Sequence, residues 1–148
     1  MNVEEIIKTS RPLPLAPRTI IHMALVQNKI EDSMGNALKP FEVSTQQFNV
    51  LRILRGQKGQ PANLFTLNER MVTKMSNTTR LVDKLMAKGL VNRTQCPSNR
   101  RKVEITITEA GEAALEQMDR AVTGAQDKLL EKFVEKDLEQ LNELLDKF

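Results

Sequence analysis

Between Thr66 and Lys102 the chain carries nine lysines and arginines, at 70, 74, 80, 84, 88, 93, 100, 101 and 102, against only Glu69 and Asp83. From Val103 to Phe148 the balance reverses, with five cations against twelve acids. Ammonium and guanidinium groups are donors without acceptors, and their natural partners are oxyanions. The modest overall charge of +3 therefore hides a chain that offers cations to something anionic with one segment and keeps another segment away from it. Within the basic segment, Ser76, Asn77 and Thr79 stand beside Arg80 and Lys84, and Arg100, Arg101 and Lys102 form a run. An isolated basic run is usually a solvated face; what changes the reading here is the order of the elements that carry it.

Thr66, with Glu69 three residues on, has the spacing of a capping box and predicts a short helix on which Leu67 and Met71 share a face. After a turn from Thr73, Ser76 offers a second cap, and Gly89 ends the helix behind it. On a helical period Thr78, Leu81, Val82, Leu85 and Met86 fall on the core side, while Asn77, Arg80, Asp83, Lys84 and Lys88 fall on the other. Leu90, Val91 and Arg93, then Val103, Ile105 and Ile107, are short β-rich runs joined by CPSNRRK, whose Pro, Ser and Asn suit a turn. Two capped helices followed by a basic hairpin make a winged helix-turn-helix.

SNTTRLVDKLMAKGLVNR, the NRR tip and the TITEAG that ends the second strand resemble the MarR family of bacterial transcriptional regulators. The resemblance follows the helix order of the whole chain and is most specific from Ser44 to Gly111. The family pattern there is a recognition helix, Gly-Leu-Val-x-Arg, an Asp-x-Arg wing tip and a Leu-Thr-x-x-Gly exit. Asn99 stands where the pattern has Asp, and Ile107 where it has Leu. The resemblance implies a mainly α fold with a small β-wing, a DNA-binding lobe over 44–111, and dimerisation helices in 1–38 and 112–148 of a single domain. It further implies a homodimeric repressor of double-stranded DNA on a pseudo-palindromic operator. A small aromatic or anionic effector, bound between the dimerisation helices and the DNA-binding lobe, would relieve it. On that reading Ser76, Asn77, Thr79, Arg80 and Lys84 face the major groove or its phosphates, Arg101 reaches the minor groove, and Arg100 and Lys102 lie on the backbone. Asp83 pairs with a neighbouring cation in the plainer reading of that residue.

The remaining segments are expected to serve this lobe. Residues 1–18 read as a short amphipathic piece, VEEIIK, and a proline-rich extended arm packed on a partner. A helix follows from Pro17 to about Met34, closed by Gly35-Asn36. Ser44 and Gln47 repeat the capping-box spacing ahead of Phe48, Val50, Leu51 and Leu54, in a helix ending near Gly56. Gly59, Pro61 and Asn63 then mark a loop of about ten residues, after which Leu64 and Phe65 read as core filling in preference to a strand paired with the wing. Thr108 caps a long helix, and a last helix from about Glu135 carries Leu138, Leu141, Leu144, Leu145 and Phe148 on one stripe. These terminal stripes have little domain left to pack on, which points to a symmetric dimer.

Composition excludes several classes. The chain has five Phe but no Trp or Tyr, so stacking platforms for single strands are not expected. One Cys forms no internal disulfide, and the lone His22 has no second ligand with which to hold a metal, so no cofactor is expected. The absence of a long apolar run or signal-type segment favours a cytoplasmic protein away from membranes. No GxSxG, Walker, HExxH or CxxC pattern is present, and an enzyme is not expected. Cys96 sits in the cationic wing, where it is either a thiolate-stabilised redox group or a small neutral turn residue. The alternative function is a winged-helix protein-interaction module that binds an acidic partner.

Overall fold

The computed structural model describes residues 1–74, 77–96 and 99–148, with the backbone alone for Cys96 and residues 99–102. In chain order the elements are α1 (Val3–Ile6), α2 (Leu15–Leu38), a 3-10 turn (Lys39–Phe41), α3 (Thr45–Gly56), α4 (Leu64–Arg70), α5 (Thr78–Ala87), β1 (Val91–Cys96), β2 (Asn99–Ile107), α6 (Glu109–Leu130) and α7 (Glu135–Leu145).

Several starts and stops obey the local rules. Gln47 N donates to Ser44 Oγ at 3.2 Å and Ser44 N donates to Gln47 Oε1 at 2.9 Å, the expected reciprocal cap of α3. Gly111 N donates to Thr108 Oγ1 at 2.9 Å at the head of α6. Gly89, just past α5, has φ +70°, a conformation that glycine adopts without a steric penalty.

Other expectations are corrected. The cap of α4 is Asn63, whose Oδ1 accepts from Thr66 N at 2.9 Å, so Thr66 lies inside the first turn and the helix begins earlier than the Thr66/Glu69 spacing suggested. Leu64 and Phe65 are consequently helical: Leu64 packs against the core, but Phe65 is 68% exposed and fills none of it. Helix α2 is longer at both ends than expected. Pro17 is accommodated because it sits in the first turn, where a missing N–H breaks no intrahelical bond. At the other end Gly35-Asn36 does not close the helix, which continues to Leu38. That residue is fully buried, and packing of α2 on α6 outweighs the intrinsic cost of one glycine. Met86, assigned to the core side of α5, is 38% exposed.

The hairpin is antiparallel and pairs Val91 with Ile107 and Arg93 with Ile105. A third, single-residue strand joins it: Ala62 N donates to Ile105 O at 2.9 Å and Ile105 N to Ala62 O at 2.7 Å. The wing's base is thus fastened to the loop ahead of α4, two residues before the position weighed in the sequence.

The buried apolar cluster draws on Leu38, Phe48, Leu51, Leu54, Leu67, Leu85, Ile105, Leu115 and Met118, from the end of α2 to the middle of α6. Burying a side chain of this size is worth roughly 1.5–3 kcal/mol, so this cluster fixes α3, α4, α5 and the wing relative to one another. The ends of the chain are different. Helix α7 buries none of its residues, and Leu15, Ile20, Val134, Leu144 and Phe148 are all more than half exposed.

Candidate nucleic-acid interface

Helix α5 is the element that presents the basic face. Thr78, Leu81, Val82 and Leu85 are buried, whereas Asn77, Thr79, Arg80, Asp83, Lys84 and Lys88 are exposed. At about 100° per residue, Arg80 falls near the middle of the exposed face, with Thr79 and Asp83 on one flank and Lys84 and Asn77 on the other.

Among the described residues, side-chain contacts to three neighbouring segments help hold this helix in place. The Thr78 hydroxyl donates to Asn68 Oδ1, joining the first turn of α5 to α4. Arg93 Nη1 donates to Asp83 Oδ1 at 2.9 Å, joining its middle to β1. Lys88 Nζ lies 3.2 Å from Glu42 Oε2, joining its C-cap to the segment after α2. Asp83 is therefore an orienting anion, as its plainer reading had it.

These contacts also sort the nine cations. Lys74 is not a free groove-facing charge: its Nζ donates to the carbonyls of Asn68 at 3.1 Å and Glu69 at 2.6 Å, at the end of α4. Those carbonyls have no intrahelical donor and gather the negative end of the helix dipole, so an ammonium there is stabilising. With Lys88 and Arg93 engaged by carboxylates, Arg70, Arg80 and Lys84 have no ion-pair partner among the described residues. Sequence spacing did carry a signal for Lys74, a cation just past a helix end, but not for the pairings of Lys88 or Arg93.

Of the eight residues expected to meet nucleic acid, Asn77, Thr79, Arg80 and Lys84 are brought together on one exposed surface. Asn77 occupies the N-cap position of α5 without using its side chain to cap the helix, in place of the expected Ser76. Ser76 lies outside the described residues. The side chains of Arg100, Arg101 and Lys102 are likewise outside what is described. Their backbone is in β2, where the register jumps: Gln95 pairs with Val103, yet Cys96 pairs with Asn99. Residues 100–102 are the surplus of that bulge, a feature that bends a strand and re-aims what it carries.

The exit from the wing is tied back to the end of α5. Thr108 Oγ1 donates to the Gly89 carbonyl at 2.8 Å and Thr108 N to the Leu90 carbonyl at 3.1 Å. At Gly111 a Cβ would collide with the Leu90 carbonyl oxygen, so the closeness of α6 to the wing depends on glycine there.

A family model described as the MarR family matches residues 43–103, the segment that holds α3, α4, α5 and most of the wing. The HTH-type transcriptional repressor IacR of Pseudomonas putida is 23% identical over 124 residues, covering 84% of this chain and 73% of that protein. Wild-type apo MarR from E. coli matches with a TM-score of 0.71 at 27% identity, covering 93% of this chain and 98% of the other. A mutant MarR from E. coli complexed with operator DNA matches with a TM-score of 0.75 at 24% identity, covering 99% and 98%. Bordetella bronchiseptica BpsR, whose DNA binding is regulated by 6-hydroxynicotinic acid, matches with a TM-score of 0.79 at 19% identity, covering 93% and 96%. The matched helices and wing are those that organise the basic face described above: over residues 43–103 the chain matches the MarR family model, and its fold is that of the solved MarR structures.

Proposed function

We propose that this chain is a homodimeric regulator that binds a pseudo-palindromic operator in double-stranded DNA and represses from it. The observation that carries the reading is the exposed face of α5, where Arg80 and Lys84, without ion-pair partners among the described residues, stand beside Asn77 and Thr79. A helix with this mixture of guanidinium, ammonium, hydroxyl and amide groups can contact phosphates and base edges together in the major groove. In this proposal Ser76 joins that face, Arg101 enters the minor groove from the wing, and Arg100 and Lys102 lie on the phosphates. The operator complex of the E. coli relative and the repressor name of IacR support it.

The domain layout follows. Residues 44–111 form the DNA-binding lobe, and 1–38 with 112–148 form the dimerisation helices. Exposed Ile20, Val26 and Ile30 on α2, with Leu141, Leu144 and Leu145 on α7, supply an apolar surface that a second copy covers. Relief by a small organic effector belongs to the same reading, by analogy with BpsR. Among the described residues no helix is long and apolar enough to cross a membrane.

Selection of bound sequences from a random duplex pool tests the proposal. Enrichment of a dyad-symmetric site with half-sites about 10 bp apart is expected. Failure to enrich any duplex, together with salt-independent background binding, would instead favour the protein-interaction reading. Sedimentation at micromolar concentration is expected to show a dimer.

A further inference from the structure

Arg80, Lys84 and Lys88 follow one another at four-residue intervals. At about 100° per residue each step turns the row by only about 40°. The three cations therefore form one ridge along α5, continued at its C-cap, where Lys88 keeps helical backbone angles. Arg80 and Lys84 have no ion-pair partner among the described residues, whereas Lys88 Nζ lies 3.2 Å from Glu42 Oε2. The last charge of the ridge is matched by an anion of the protein itself.

That anion comes from a distant segment. Glu42 closes the 3-10 turn after α2 with φ +53°, and its N–H donates to the Lys39 carbonyl at 3.0 Å. A left-handed backbone favours glycine; the position carries instead a side chain that reaches Lys88 across 46 residues. The Glu42 side chain is 84% exposed, and a pair so open to water contributes little to the fold. Its larger effect is on the charge that α5 presents.

Lys88 stands about 12 Å beyond Arg80 along the helix, at about 1.5 Å per residue, which is about the width of the major groove. On a helix whose Arg80 contacts base edges, a cation at that distance meets the phosphates at the rim of the groove. Contacts of that kind carry no sequence information and raise affinity for every duplex.

We propose that Glu42 is an internal counterion that withholds Lys88 from DNA and so limits the sequence-independent part of the affinity, an inference that rests on the reading of α5 as the helix that meets the duplex. A phosphate that takes Lys88 has to displace the carboxylate and then lies beside the anion it displaced, so both effects oppose the exchange. Kept from the phosphates, Lys88 releases no DNA counterion, and the salt dependence of binding comes from the other cations.

Fluorescence anisotropy on a random-sequence duplex across a salt series tests this with the full-length wild type, Glu42→Gln, Lys88→Gln and the double variant. Glu42→Gln is expected to bind about five- to tenfold more tightly near about 0.1 M salt, with a slope of log K against log salt steeper by about 0.9 per subunit. Lys88→Gln is expected to keep the wild-type slope. The double variant is expected to return to wild-type affinity and slope, because the gain requires the freed ammonium. Both residues are exposed, and matching urea midpoints would verify that every variant folds. Absence of a gain in Glu42→Gln overturns the proposal. A shallower slope in Lys88→Gln also overturns it, by placing that ammonium on DNA in the wild type. A double variant that binds as tightly as Glu42→Gln does so too, by reducing Glu42 to a diffuse repulsive charge. In each of these cases duplex binding persists and the DNA reading stands. If none of the proteins binds duplex, the DNA reading falls and this inference falls with it.

Discussion

Asp83 on α5 and Arg93 on β1 meet at 2.9 Å, so the middle of α5 is fastened to the base of the wing. Arg93 is about one-third exposed and Asp83 about half, so the pair is worth no more than about 1 kcal/mol to the fold. The pair links α5 to the wing, and an aligning role in DNA binding is the expectation it raises. In Asp83→Asn, chemical denaturation should show a loss of about 0–1 kcal/mol. The neutral side chain removes an anion from the basic face, so affinity for random duplex should hold or rise while preference for the selected site falls. Competition binding between the two duplexes checks this, and an unchanged ratio would deny the pair an aligning role.

The cations of the lobe should separate into two groups when substituted. Arg80→Ala is expected to weaken operator binding by about 1–3 kcal/mol, because its side chain lies on the exposed face with no ion-pair partner among the described residues. Lys74→Met is expected to leave the slope of log K against log salt unchanged and to lower stability by about 0.3–1 kcal/mol, through the loss of its hydrogen bonds to the Asn68 and Glu69 carbonyls. Fluorescence anisotropy across a salt series, with denaturation curves alongside, distinguishes them. A reduced salt slope in Lys74→Met would place that ammonium on DNA instead.

Two glycines should respond in opposite directions. Gly111→Ala forces a methyl against the Leu90 carbonyl and the Ile107 side chain, and a destabilisation of about 1–3 kcal/mol is expected. Gly35→Ala lies within α2 with nothing within 4 Å of the added carbon, and a gain of about 0.4–1 kcal/mol is expected. Thermal or urea unfolding of the two variants provides the measurement, and equal signs would contradict the packing around Thr108 and Leu90.

The wing carries the remaining prediction. Arg101→Ala is expected to weaken operator binding by about 1–3 kcal/mol and to relax preference at the flanks of the site, since a narrow minor groove favours a guanidinium. Asn99→Asp, which supplies the carboxylate of the family pattern, should leave affinity equal or better despite its charge. If Arg101→Ala has no effect and Asn99→Asp weakens binding, the wing contributes only diffuse positive charge. Binding curves on the selected site and on flank variants decide between these outcomes.

What the sequence determined by itself is what neighbouring residues determine among themselves. Ser44 and Gln47 are three residues apart, as are Thr108 and Gly111, and their caps form within a single turn, so helix starts of this kind could be read directly. Gly89 and the two-period hairpin were legible for the same reason, and with the alternation of core and basic residues on α5 they conveyed the winged helix-turn-helix. At the start of α4 the Thr66/Glu69 spacing misled, because Asn63, read as part of the loop, caps the helix instead. The earlier start brings Leu64 into the helix, where it packs against the core.

Tertiary structure decided which charges remain available and how far elements extend, because those outcomes depend on partners distant in the chain. Lys88 finds Glu42 across 46 residues, and Arg55 finds Asp119 across 64. Ala62 becomes a strand only through Ile105, and no property of Ala62 alone distinguishes it from loop. Helix α2 passes through Gly35 because Leu38 is held in the core, a gain of roughly 1.5–3 kcal/mol against a glycine cost of about 1. Arg52 and Arg70 stand 18 positions apart in sequence and line one surface depression only because α3 packs beside α4.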